Sequence, residues 1–121
     1  MKVLVVEDSN LMVAVITNFV KKEMPETDVV SASNGAEGVE KYKKEKPDVV
    51  FMDIKMPLMD GFEALERIRA FDPKAKVVMC TALKEPEQEA RAKTLGACGY
   101  ITKPFGREEI RKALQTTVGL K

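Results

Sequence analysis

Residues 47–61 read Pro47-Asp48-Val49-Val50-Phe51-Met52-Asp53-Ile54-Lys55-Met56-Pro57-Leu58-Met59-Asp60-Gly61, and this stretch decides the fold. Four apolar residues follow one another without polar alternation, an acid ends the run, and Met59-Asp60-Gly61 marks a turn before the next apolar pattern. A run this short and unbroken predicts a strand covered on both faces, which requires helices above and below it. Strand, turn and helix in that order make one unit of a parallel α/β sheet.

Working outward, runs of the same kind occur at Val3 to Val6, Val29 to Ala32, Val77 to Cys80 and Tyr100 to Thr102. The segment Leu11 to Glu23 carries Met12, Val15, Ile16, Phe19 and Val20, the stripe of a core-facing helix. Shorter stripes follow at Ala36, Val39 and Tyr42, at Leu65 and Ile68, at Ala90 to Leu95, and at Ile110, Ala113, Leu114 and Val118. Breaks fall at Asn34-Gly35, Lys46-Pro47-Asp48, Asp72-Pro73 and Lys103-Pro104. Right-handed crossovers leave few orders for five parallel strands, and 2-1-3-4-5 is a common one. The expected fold is a flavodoxin-like, doubly wound α/β sheet with five helices, filling residues 1–121 as a single domain.

With 121 residues and 45% apolar composition, the chain has room for one core and no second one. Its 20 basic and 19 acidic residues leave a net charge of +1, so no bulk field points to nucleic acid. No segment reaches membrane-spanning length and the amino terminus lacks a signal peptide's apolar core, so a cytoplasmic protein with no membrane partner is expected. Cys80 and Cys98 lack CxxC spacing and read as free thiols. The chain has no histidine, which removes Ser-His and Cys-His nucleophiles and any phosphohistidine of its own.

The chemistry gathers at the strand ends. The first run ends in Glu7-Asp8, the third in Asp53, the fourth in Thr81 and the fifth in Lys103. Singly, each has a plain reading: Asp8 supports a helix start, Asp53 is a loop acid, Thr81 caps the next helix. Together they occupy the same relative place, where such sheets bind ligands. Three converging carboxylates repel one another unless a cation joins them, and hard oxygen donors without His or Cys favour Mg²⁺. Lys103 adds a second positive charge at the opposite side of the pocket. This set suits phosphoryl transfer, with Asp53 as nucleophile and ligand, Glu7 and Asp8 as metal ligands, and Thr81 donating to a phosphoryl oxygen. There is no GxxxxGK[ST] loop, and no GxGxxG follows the first strand, so nucleotide binding is disfavoured.

The motifs VLVVEDS (3–9), PDVVFMDIKMPLMDG (47–61), VVMCTA (77–82) and GYITKPF (99–105) resemble, in order and register, the receiver domains of two-component response regulators of the CheY-like kind. The resemblance covers essentially the whole chain. It implies phosphorylation of Asp53 by a sensor histidine kinase, Mg²⁺ on Glu7, Asp8, Asp53 and the Lys55 carbonyl, and phosphoryl contacts from Thr81 and Lys103. It also implies a switch pairing Thr81 with Tyr100, and a cis Lys103-Pro104 bond. Glu7 departs from the family's commoner Asp, and Lys55 and Leu83 occupy places that influence how quickly water reaches the acyl phosphate.

The chain ends soon after its last helix, so output is expected through a downstream target, a motor or other effector, meeting the face of the fourth helix, fifth strand and fifth helix. Lys84, Lys93, Tyr100, Arg107 and Arg111 mark that face. A partner phosphatase is a further expectation. The chain is expected to be a switch that at most phosphorylates itself from small donors and dephosphorylates itself, with chemotaxis as its pathway. One alternative is a phosphorelay intermediate passing the group to a histidine phosphotransfer protein. Another is an aspartyl-phosphate phosphatase, against which Lys55 counts, since such enzymes carry an acid two residues beyond the nucleophile.

Overall fold

A computed structural model describes residues 1–120. The elements run β1 (Lys2–Val6), α1 (Asn10–Glu23), β2 (Asp28–Ala32), α2 (Gly35–Glu45), β3 (Val49–Met52), α3 (Gly61–Phe71), β4 (Val77–Thr81), α4 (Pro86–Thr94), β5 (Gly99–Thr102) and α5 (Arg107–Val118). The strands form one sheet in the order β2-β1-β3-β4-β5 with every neighbour parallel. The flavodoxin-like architecture expected from the apolar runs is thus the observed one.

Strand periodicity sorts the core into two layers. Leu4, Val6, Val50, Met52, Val77 and Met79 point to one face, where Val39 and Tyr42 of α2, Leu65 and Ile68 of α3, and Ala92 of α4 cover them. The alternate residues Val3, Val5, Val49, Phe51, Val78 and Cys80 point to the other, under Ile16 and Val20 of α1 and Ile110 and Leu114 of α5. Each such side chain removed from water contributes about 1.5–3 kcal/mol. Cys80 is buried within this second layer and Cys98 is exposed, both as free thiols.

Three helices start on a capping side chain that accepts an orphan N–H: Ser9 for α1, Asn34 for α2 and Asp60 for α3. Ser9, not Asp8, serves α1. In α4 the plain reading of Thr81 as a cap does not hold either, because the N-cap is Glu85, which makes no side-chain hydrogen bond there. That helix also starts earlier than its apolar residues indicate, since Pro86 and three polar residues form its first turn.

The winding direction reverses between β1 and β3. Both strands carry all-apolar cores to their last residue, and the ladder continues one rung past them: the Glu7 N–H donates to Ala32 O at 2.9 Å and the Asp53 N–H donates to Val6 O at 3.0 Å. The two acids therefore leave the sheet from rigid, paired backbone.

Candidate functional site

Glu7 is 3% exposed and Asp53 8% exposed, whereas Asp8 stands open to solvent. One oxygen from each of the three lies within 4.8 Å of the others. Lys103, projecting from the end of β5, places its Nζ 2.9 Å from Glu7 Oε2 and 3.1 Å from Asp53 Oδ2. Lys103 is thus bonded to both acids rather than standing across the pocket. Its own N–H donates to Thr81 O at 2.8 Å, and the Lys103-Pro104 peptide is cis, as the resemblance implies.

Backbone donors fix the carboxylates further. Asp53 Oδ1 accepts the Ile54 N–H at 2.7 Å, and Glu7 Oε1 accepts the Ser9 N–H at 3.3 Å. The start of α3 presses directly on the nucleophile candidate. A Cβ at Gly61 would stand 2.1 Å from Asp53 O, so only glycine fits, and the Gly61 N–H donates to Ile54 O at 2.7 Å.

Three carboxylates face one ammonium, so the pocket carries excess negative charge. Burial pushes the Glu7 carboxyl up to about 7; the Lys103 hydrogen bond opposes this and the Asp53 charge adds to it. Burial alone would lower the Lys103 ammonium, but its Glu7 hydrogen bond and the Asp53 charge outweigh that, and its pKa is raised. A proton shared around Glu7 and Lys103 is one way to relieve the excess, and a divalent cation is the other. The donor set fits Mg²⁺: every candidate ligand is a hard oxygen, and exposed Asp8 leaves an open side for water and a phosphate oxygen. Lys55 lies in the loop that follows, its side chain exposed.

Thr81 is 1% exposed at the end of β4. Its Oγ1 accepts the Leu83 N–H at 3.3 Å, and the Leu83 carbonyl accepts the Tyr100 hydroxyl at 2.7 Å. Thr81 and Tyr100 are therefore connected through the backbone of Leu83, its N–H on one side and its carbonyl on the other, a link that no sequence motif indicates. On the neighbouring face, Lys84 and Lys93 are exposed, while Arg107 pairs with Glu23 at 2.5 Å and Arg111 lies 3.8 Å from Glu108. Leu11 and Leu58 are the most exposed large apolar residues of the described chain, at 75% and 88%, and they sit in the segments following Asp8 and Asp53.

Residues 3–115 match the model of the response regulator receiver domain. A chemotaxis protein CheY from Listeria monocytogenes is 44% identical over 115 residues, 95% of this chain and 96% of that one. Sporulation initiation phosphotransferase F from Bacillus subtilis is 35% identical over 120 residues, 99% and 95% of the two chains. Among solved structures, a CheX-CheY-BeF3-Mg²⁺ complex from Borrelia burgdorferi aligns with a TM-score of 0.92 at 31% identity, covering 98% of this chain and 89% of that one.

Proposed function

This chain belongs to the response regulator receiver domain family, and from that premise we propose that it is a single-domain phospho-acceptor switch modified on Asp53. The observation that carries this reading is the meeting of Glu7, Asp8, Asp53 and Lys103 at the crevice where the sheet's winding reverses. With no histidine of its own, the chain would take the group from a phosphohistidine on another molecule, a sensor kinase.

In the transfer, an Asp53 carboxylate oxygen forms a bond to phosphorus as the donor's P–N bond breaks, and the nitrogen keeps the electron pair. Ile54 N–H holds the carboxylate's orientation, and Lys103 steadies charge on the transferred oxygens. Held by Glu7, Asp8, Asp53 and the Lys55 carbonyl, Mg²⁺ would supply the remaining neutralisation of those oxygens. Leu11 and Leu58 offer an apolar rim on which a phosphodonor protein can rest.

Readout starts at Thr81. Its oxygen accepts the Leu83 N–H, so a swing of the hydroxyl toward a phosphoryl oxygen would loosen that bond, and the carbonyl of the same residue holds Tyr100 by the hydroxyl. A local charge change is thereby passed to the β4–α4 loop and the β5 edge. The target, a motor or other effector, would meet the face of α4, β5 and α5, as a chemotaxis regulator would present it. The 35% identity to a sporulation phosphotransferase favours, as the second reading, a relay that hands the group on to a histidine phosphotransfer protein.

Incubation with Mg²⁺ and acetyl phosphate should add one phosphoryl group, located on Asp53 by mass spectrometry after reductive trapping. An adduct that persists in Asp53→Asn, or none in the wild type, would sink the assignment. Transfer of label onward to a phosphotransfer protein within minutes would favour the relay.

A further inference from the structure

Helix α4 is held at one end. Of its first five residues, Pro86, Glu87, Glu89 and Ala90 are exposed and Gln88 is half-buried. The contacts that fix it lie toward its carboxyl end, where the Arg91 guanidinium stacks on Phe62 and Ala92 is fully buried. They continue past the helix, with Leu95 and Ala97 packed against the core layer that α3 covers. The Ala97 N–H donates to Ala92 O and the Cys98 N–H to Val77 O, both at 2.9 Å, so the chain re-enters the sheet directly from this packed turn.

One side chain from α3 closes the turn. Gly96 has a φ of +101°, and a Cβ there would stand 2.5 Å from Arg69 Nε. Arg69 is half-buried, and its Nη1 donates to Ala75 O at 3.3 Å, in the turn that leads into β4. The guanidinium therefore lies between two pieces of backbone, the turn after α4 and the turn before β4. A planar, preorganised fork suits such a slot better than an ammonium on a flexible stem. The opposite end of α4 has no comparable hold. Glu85 makes no side-chain cap bond, and Leu83, two residues earlier, is the residue whose N–H bonds Thr81 and whose carbonyl holds Tyr100.

We infer that α4 is a lever hinged at its carboxyl end, with Arg69 as the positioning residue that pins the hinge beneath Gly96. Movement is confined to the stretch from Lys84 to Ala90, the end that adjoins Leu83. Nine residues at about 1.5 Å each make a lever of about 13 Å, so a small tilt at Gly96 becomes its largest displacement at Pro86. The hinge belongs to the resting fold; only its drive rests on phosphorylation of Asp53.

Amide hydrogen exchange of the full-length ¹⁵N-labelled chain tests the hinge at rest. Protection should rise along α4 and be highest from Leu95 to Ala97, roughly tenfold above that of Ala90 and Arg91. Arg69→Met, which keeps a stem and removes the fork, should speed exchange at Leu95, Gly96 and Ala97 roughly tenfold. Unchanged Leu65 and Ile68 amides in α3 would report that the fold is intact. Gly96→Ala, which displaces the guanidinium, should act on the same amides. Adding Mg²⁺ and beryllofluoride, a phosphoryl mimic, should shift wild-type amides from Leu83 to Ala90 and leave Gly96 and Ala97 in place. In Arg69→Met those shifts should spread through Gly96 and Ala97, a boundary that a merely structural arginine would not move. Equal protection at both ends of α4, wild-type protection of Leu95 to Ala97 in Arg69→Met, or an unmoved shift boundary in that variant would each overturn the hinge. A wild-type chain that ignores beryllofluoride counts against Asp53 as the acceptor, while the exchange gradient still decides the hinge.

Discussion

Helices α3 and α4 lie on the same layer of the sheet, each follows a strand that ends at a site residue, and they are held in opposite ways. Asp60 caps α3, with its Oδ1 accepting the Glu63 N–H at 2.9 Å, and Gly61, Phe62, Ala64, Leu65 and Ile68 are all buried. In α4 the N-cap side chain makes no bond and Ala92 is the one buried residue. Its other tether toward α3 is the Arg91 guanidinium, 4.2 Å above the Phe62 ring. The helix beside Asp53 is therefore fixed by packing, and the helix beyond Thr81 by one small contact and one stacked cation. A switch benefits from that division: the receiving side holds its geometry, and the responding side moves for a small free-energy change.

The contrast can be broken most sharply in the core. Leu65→Ala in α3 should cost about 2–5 kcal/mol in urea denaturation, against about 1 kcal/mol for Ala92→Gly in α4. Equal losses would show that α4 is anchored as firmly as α3.

A second test weighs the receiving side by pH. Because Glu7 has its carboxyl raised from 4.5 to about 7, the folded chain keeps a proton between those values that the unfolded chain has released. Its stabilising contribution is complete below the unfolded value and is lost as pH rises through about 7. Without Mg²⁺, wild type should therefore lose roughly 3 kcal/mol relative to Glu7→Gln between about pH 4 and about pH 8. Added Mg²⁺ should oppose the loss, since the ionised carboxylate is the ligand form. A pH-independent difference would mean that the fold does not raise the Glu7 carboxyl.

Smaller effects lie at the helix starts. Asp60→Ala should cost about 1 kcal/mol, and Glu85→Ser, which supplies α4 with the cap it lacks, should gain about 0.5 kcal/mol. A loss of similar size, roughly 0.5 kcal/mol, is expected for Arg91→Ala. Hydrogen exchange should nonetheless report it clearly as faster exchange across α4 with α3 unchanged.

The legible and illegible parts of the molecule divide along the same line. β1, β3 and β4 were readable because unbroken Val-rich runs have few other uses, and the meeting of Glu7, Asp8 and Asp53 followed from strand ends alone. The start of helix α4 is not legible because Pro86, Glu87, Gln88 and Glu89 carry no apolar stripe, so its first turn leaves no periodic mark. The Tyr100–Leu83–Thr81 connection is equally hidden, since it runs through the backbone N–H and carbonyl of Leu83, groups that nearly every residue carries. The sequence paired Thr81 with Tyr100 only by family likeness, and the stacking of Arg91 on Phe62 depends on an approach between helices that no local pattern encodes.

The contact at Gly61 has a mechanical consequence. With no side chain between the first turn of α3 and the Asp53 carbonyl, the helix and the Asp53 backbone form a single lever. A load on the outer surface of α3 would reach Asp53 as a displacement of its own backbone, without passing through any side chain that could yield and absorb it.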